Sequence, residues 1–438
     1  MATVERYRQS YEDLAHKSAG PAWLNELRTV GLERFVHEGF PTKKREAWRY
    51  TDVSAVEETP FVPAERARAE VREQDLAGLR LEGAATELVF VNGRLSDELS
   101  RMGALPKGAF AGALSVALEE RGELVSSHLG KIAPSEGAPF AALNTAFVEE
   151  GAFVFVPKGK AVAGPIHLVF VGKAEGDDVE THPRNLIVLA EGAEATVVET
   201  WISSGQRRAF ANVVSEVVVS ENASLEHHLW QRHGAGTFHI GCLAVRQERD
   251  SRYQSHAYWL GGALSRNDLT VALEGPGAEC RLHGLYVASS AQHIDNHTLI
   301  DHKAPHCTSA ELYKGVLDER GHGVFNGIVY VRPGASKSDA QQANHNLLLS
   351  EDASVDTKPQ LEIFNDDVKC SHGSTVGQLD DEALFYLRSR GVARAEAERM
   401  LTTAFASAVV EAIADEGLRE RVYAFVNERL AELPGGRA

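Results

Sequence analysis

The chain has 438 residues, 43% of them hydrophobic, with a formal net charge of −17. That length exceeds what one core usually serves, so two or three domains are expected, and the acidic balance argues against a nucleic-acid surface. Four cysteines, none in a CxxC, exclude a disulfide framework and suit a reducing compartment. No apolar run reaches the roughly 18 residues of a membrane span. The opening MATVERYRQSYEDL lacks the apolar core of a secretory signal, so a cytoplasmic protein with no membrane contact is expected.

The N-terminal part reads as helical. Val4, Tyr7, Tyr11 and Leu14 recur at helical spacing. A second helix is predicted from Pro21 through Trp23, Leu24, Leu27, Leu32 and Phe35, stopped by Gly39 and Pro41. PTKKREAWRYTD follows (residues 41–52), and its cluster Lys43-Lys44-Arg45 reads as a solvated loop. Trp48 has the area to anchor packing or to contact a ligand, and packing is the expectation. Arg66 to Leu81 is polar and connective. Glu87–Val91 followed by Asn92-Gly93 predicts a short strand and tight turn. Helical stretches are expected near Leu114–Leu129 and Pro139–Glu149. Residues 1–151 thus read as a mostly helical domain.

The texture changes at Gly151. From there to Leu379 short β runs such as Ala152–Val156, Ile166–Val171, Val213–Val219 and Gly327–Val331 are cut by Gly, Asn, Asp and Ser. No helical pattern separates them, which excludes a doubly wound α/β sheet. Small residues in turn contexts recur at Ala193, Ala223, Ser251, Ala278, Thr308 and Ala335, and a second series runs through Ala235, Ala263, Ala291, Gly323 and Ala353. A repeat of about 30 residues signals a solenoid, and two interleaved series imply at least two strands per coil. Residues 152–379 are therefore read as a parallel β-helix of roughly seven to eight coils. A β-sandwich is the alternative, but its loops need not repeat. Open solenoid ends invite pairing, so flanking helices are expected to cap the array or recruit partners.

The last domain, 380–438, carries three predicted helices: one from Glu382 to Gly391, one with Leu401, Phe405, Val409 and Ile413, and one with Leu418, Val422, Phe425, Val426 and Leu430. Their apolar stripes need a partner surface. They are expected to pack within their own domain, with a docking surface as the second reading.

No GxxxxGK[ST], GxSxG or HExxH occurs, and GHGVFNG (321–327) is not a dinucleotide fingerprint. The densest polar set, Arg281 to Lys314, holds His283, His293, Asp295, Asn296, His297, Asp301, His302, His306 and Cys307. Its simplest reading is a solvated face or stacked ladders rather than a metal site. His227–His233 reads as a polar strand. Cys280 and Cys307 lie one period apart and are expected to be buried free thiols, with stacking on adjacent coils also open. A carbohydrate-active enzyme using Asp295 and Asp301 in a groove is a competing reading, disfavoured by only 7% aromatic residues.

Cys370 and His372 differ from these. In an extended strand, positions i and i+2 share a face, so a thiol and an imidazole stand side by side where the array ends. Such a pair suits a soft metal or an iron–sulfur unit. A closed site needs about four donors and no second pair exists, so the remainder must come from another chain, or there is no site. Lys369 would lower the thiol pKa if it lay close.

The run IDNHTLIDHKAPHCTSAELYKGVLDERGHGVFNGIVYVRPGASKSDAQQANHNLLLS, then VDTKPQLEIFNDDVKCSHGSTVGQLDDEALFYLRSRG, resembles the core of the SufB/SufD family, and PTKKREAWRYTD is similar to its N-terminal signature. KCSHG and LFYLRSRG at this length resemble the SufD branch. The resemblance implies a right-handed parallel β-helix between helical domains. It implies a non-catalytic scaffold subunit of the SUF iron–sulfur cluster assembly complex, paired with a SufB-like subunit and docking a SufC-like ABC ATPase through its C-terminal helices. No cofactor is then held tightly by the chain alone. A transient cluster forms at the subunit interface, with His372, and Cys370 beside it, taking part. A homodimer is open to the chain in isolation.

Overall fold

The computed structural model describes residues 2–17, 20–64, 70–133 and 136–433. Two sheets of eleven and ten strands face each other. Successive strands of the array alternate between them, so each coil contributes one strand to each sheet, and the described residues form eight such coils. Every pairing between coils is parallel. This is a two-sheeted parallel β-solenoid, not a sandwich of hairpins.

The coil is set by its turn. One residue in the left-handed region recurs two positions before six successive strands of the ten-stranded sheet: Gly192, Asn222, Asp250, Gly277, His306 and Lys337. Gly, Asn and Asp adopt that conformation at least cost. The small residue after it is buried, as at Ala193, Ala223, Ser251 and Ala278. The spacing breaks down afterwards. Cys307 and Ser338 hold this place, rather than Thr308 and Ala335, because later coils are longer: Thr308 pairs with Asp339, and His322 with Ser354.

Inward-facing side chains from both sheets form one core along the solenoid, including Ile187, Val217, Leu225, Tyr253, Leu282, Ile300 and Phe325. The outward faces are not solvated. Phe210, Phe238, Ile240 and Leu264 of the eleven-stranded sheet carry Tyr7, Phe35, Phe40, Trp48 and Phe140 of the N-terminal region. Trp230, Tyr258, Leu285, Val287 and Val316 of the ten-stranded sheet carry Val409, Val422, Phe425 and Leu430 of the last two helices, Arg394–Val410 and Glu416–Ala431, and Ile413 between them. The helices therefore cover the faces of the solenoid and do not cap its C-terminal end or pack only among themselves. Outward apolar rows on the strands dictate this, since burying them stabilises by roughly 25 cal/mol per Å².

The N-terminal helices Ala2–Lys17 and Ala22–Glu38 form as predicted. Arg66–Ala69 lie outside the described residues. Asn92 and Gly93, at φ 48° and 84°, make the tight turn between Thr86–Val91 and Arg94–Leu95. Thr86–Val91 also pairs in parallel with Ile166–Ala174, so a strand from the helical N-terminal part continues the solenoid. At this first end each sheet finishes on a short antiparallel strand, Arg94–Leu95 or Phe110–Ala113. The other end finishes on bare parallel strands, Ser354–Ile363 and Lys369–Gly377. None of the described helices is long and apolar enough to cross a membrane.

Candidate functional site

The strand Lys369–Gly377 closes the ten-stranded sheet, with Cys370 in register with Ala340 and His372 with Gln342. Ala340 and Gln342 are buried inside the coil below, so Cys370 and His372 continue inward-facing rows. No coil lies beyond them among the described residues. Cys370 is consequently half-buried, packed at the edge of a cluster of Val329, Val331, Ala335 and Ala340. His372 is exposed. The expected juxtaposition on one face is present.

Burial pushes the Cys370 thiol above its ordinary pKa. A backbone hydrogen bond at Ala340 opposes this, and Asp339 adds to it. Lys369 does not lower it, because adjacent residues of a strand point to opposite faces. The thiol is protonated at neutral pH, and a metal or a partner's cation has to displace the proton. No third His, Cys, Asp or Glu converges on the pair among the described residues.

Beneath His372 lies a polar row that the sequence reading did not connect. Glu311, Gln342 and His372 follow one another in register. Gln342 Nε2 donates to Glu311 Oε2 at 2.7 Å. Burial raises the Glu311 pKa to about 7, against hydrogen bonds from Thr298 and Gln342. Above Tyr286, Asn344 and Asn346 extend the polar interior toward the open end.

The polar set between Arg281 and Lys314 is not one face. Asp295 and Asn296 are buried, on opposite faces of their strand, and His302 is buried with Nε2 2.8 Å from Ser309 Oγ. The solvated-face reading is therefore corrected: helical layers cover these outer positions, and the core takes the inner ones. His306 is the left-handed residue of a turn. Asp295 is clamped by Arg266 at 2.8 Å and receives a hydrogen bond from Thr51. Arg266 lies 3.7 Å over the Trp48 ring and donates to the Ala47 carbonyl. The element 41–52 is thus locked to the outer face of the eleven-stranded sheet, and Trp48 is a packing anchor. Asp301 is held by both Nε and a terminal nitrogen of Arg332 at 2.9 and 3.0 Å. Asp295 and Asp301, six residues apart along one strand, are about 20 Å apart. That is too far for a glycosidase pair.

Cys280 and Cys307 are buried free thiols. They do not stack: Cys280 pairs with Ser309, while Cys307 occupies the turn and donates to the Gly275 carbonyl at 3.4 Å. His227 is an inward residue whose Nε2 lies 3.0 Å from Glu199 Oε1, and His228 is buried on the opposite face, so the polar strand Ser224–Arg232 is covered on both sides. Its neighbour His256 escaped the sequence reading. The signal was available, since His228, His256 and His283 are spaced 28 and 27 residues apart, one coil each.

Several large apolar side chains are exposed at and beside this end. Ile363, Phe364 and Val376 lie on the bare end, and Phe385 and Tyr386 lie on the helix Asp381–Ser389 that follows it. Together the bare strands, the thiol–imidazole pair and this apolar surface define a solenoid platform with an unpaired end.

Comparison with known proteins agrees with that class. Residues 170–405 match the family model described as SUF system FeS cluster assembly, SufBD core domain, and residues 2–168 match the SufBD protein N-terminal region. The chain is 35% identical to the iron-sulfur cluster assembly protein SufD of Escherichia coli over 92% of both chains. It is 33% identical to a SufBD family protein of Synechocystis, over 87% of this chain and 86% of the relative. It is 29% identical to the chloroplastic protein ABCI7 of Arabidopsis thaliana, over 95% and 89%. The chain belongs to the SufBD family of the SUF iron–sulfur cluster assembly system and is SufD-like.

Proposed function

We propose that this chain is a non-catalytic scaffold subunit that pairs with a SufB-like subunit and docks a SufC-like ATPase. The nascent cluster is cargo rather than a resident cofactor, assembled at the subunit interface with Cys370 and His372 supplying part of its ligation. The observation that carries this reading is the last strand: its outer edge is unpaired, and it ends two inward rows in a thiol and an imidazole. Unpaired edges are templates for another chain, and a second chain would bring the missing donors. The exposed Phe385 and Tyr386 support an ATPase contact at the C-terminal helices. In isolation the same edge suits two-fold pairing with a second copy. A cytoplasmic, reducing setting fits the four free thiols.

Co-expression with SufB-like and SufC-like partners, followed by size exclusion, tests this. A ternary complex that accumulates iron only when this subunit is included supports it. Partners that assemble and load iron equally well without the subunit contradict it.

A further inference from the structure

A second donor cluster lies on the outer face of the ten-stranded sheet, away from the last strand. Glu226 and His228 are two residues apart on the strand Ser224–Arg232, so they share that face. Parallel register places His256 beside His228, and His283 beside His256. The rings stack, with centroids 4.8 Å apart for the first pair and 5.1 Å for the second. Glu226 Oε1 lies 2.9 Å from His228 Nε2 and 3.7 Å from His256 Nε2. One donor atom from each of the three residues falls within 4.8 Å of the others.

We propose that Glu226, His228 and His256 bind a divalent first-row metal ion, Fe(II) or Zn(II). Two observations converge on a ligand. His228 and His256 are fully buried, yet Nδ1 of His228 and both ring nitrogens of His256 lack a hydrogen-bond partner among the described residues, with Glu226 Oε1 only within ionic reach of His256 Nε2. Buried polar atoms left unpaired are costly and need an explanation. Donors on a tetrahedral metal at 2.0–2.1 Å are about 3.3 Å apart, between the two distances seen here.

Two imidazoles and one carboxylate are borderline donors that suit Fe(II) and Zn(II) and leave room for water. The Glu226 side chain is 22% exposed, so an ion reaches the site from solvent through the carboxylate. Ligation through His228 Nε2 requires the tautomer that carries its proton on the unpartnered Nδ1. His283, half-buried with Nδ1 also unpartnered, stands next in the row as a further donor.

The test uses the full-length chain carrying Cys370→Ser and His372→Ala, so that the open end contributes nothing. After chelation, Co(II) is added as a spectroscopic probe, and Zn(II) and anaerobic Fe(II) binding are measured by equilibrium dialysis. The expectation is one ion per chain, with Co(II) d–d absorption of nitrogen–oxygen ligation. Glu226→Gln, at a partly exposed position, is expected to weaken binding at least tenfold with unchanged circular dichroism, and His256→Ala to abolish it. Tighter Fe(II) binding would mark an iron-holding site, and tighter Zn(II) binding a structural one. Absence of stoichiometric binding of all three metals, or unchanged affinity in Glu226→Gln, overturns the proposal. If His256→Ala fails to fold, Glu226→Gln alone decides.

Discussion

His372 stands in register with Gln342, one coil below it, and is the last residue of a row that runs inward to Glu311. The row passes from fully buried to exposed within two coils. Because His372 makes little contact with its own chain, its removal is structurally cheap. His372→Ala is expected to change unfolding free energy by no more than about 0.5 kcal/mol, measured by urea denaturation. A loss above about 2 kcal/mol would mean the imidazole is a structural prop.

The bare edge gives a second prediction. Val376 is 49% exposed on the final strand. A charge there blunts edge pairing, so Val376→Lys should leave circular dichroism unchanged yet shift the isolated chain or its complex to the monomer position on size exclusion. Unaltered assembly would place the partner elsewhere.

The helix Asp381–Ser389 gives a third. Phe385 is 74% exposed and Tyr386 58%. Phe385→Asp with Tyr386→Asp is expected to abolish pull-down of the ATPase while pairing with the SufB-like subunit survives. Loss of both contacts together would show a fold defect instead.

Glu311 gives a pH prediction. Burial holds its folded-state pKa near 7, above the ordinary 4.5. A raised pKa means the native state binds the proton more tightly, so this contribution is fully present below pH 4.5 and is lost as pH rises through 7. The loss is on the order of 3 kcal/mol. Glu311→Gln should flatten the decline in stability between pH 5 and 8, read from urea midpoints at both values. Parallel pH profiles for wild type and variant would contradict the buried-acid description.

Trp48 gives a stability prediction. It is buried under Arg266, which in turn clamps Asp295. Trp48→Ala should cost about 3–5 kcal/mol, whereas Tyr50→Ala, at an exposed position, should cost under about 0.5 kcal/mol. Equal effects would argue that the element 41–52 is not anchored through the indole.

The solenoid was legible because its turns need a left-handed residue followed by a small buried one, and that demand leaves a period at Ala193, Ala223, Ser251 and Ala278. It blurred at Thr308 and Ala335 because coil length varies, which also misplaced Cys307 opposite Cys280. Cys370 and His372 were legible because strand geometry alone sets their shared face. Their degree of exposure was not, since it depends on which coil is last. The layering of helices over both sheet faces was hidden because an apolar stripe names no partner. His256 was hidden for a related reason: its relation to His228 exists only across coils, and a lone histidine between Ser255 and Ala257 carries no local signal.

The central claim is that the open end completes a cluster site with another chain. The most direct measurement is anaerobic iron–sulfur reconstitution of the co-purified three-subunit complex, comparing wild type with His372→Ala by iron content and visible absorbance. The account predicts intact complexes of equal size, with iron and cluster absorbance lost in the variant. Equal iron in both would contradict it, leaving Cys370 and His372 as the plain end of a strand and this subunit's contribution to shape and docking alone.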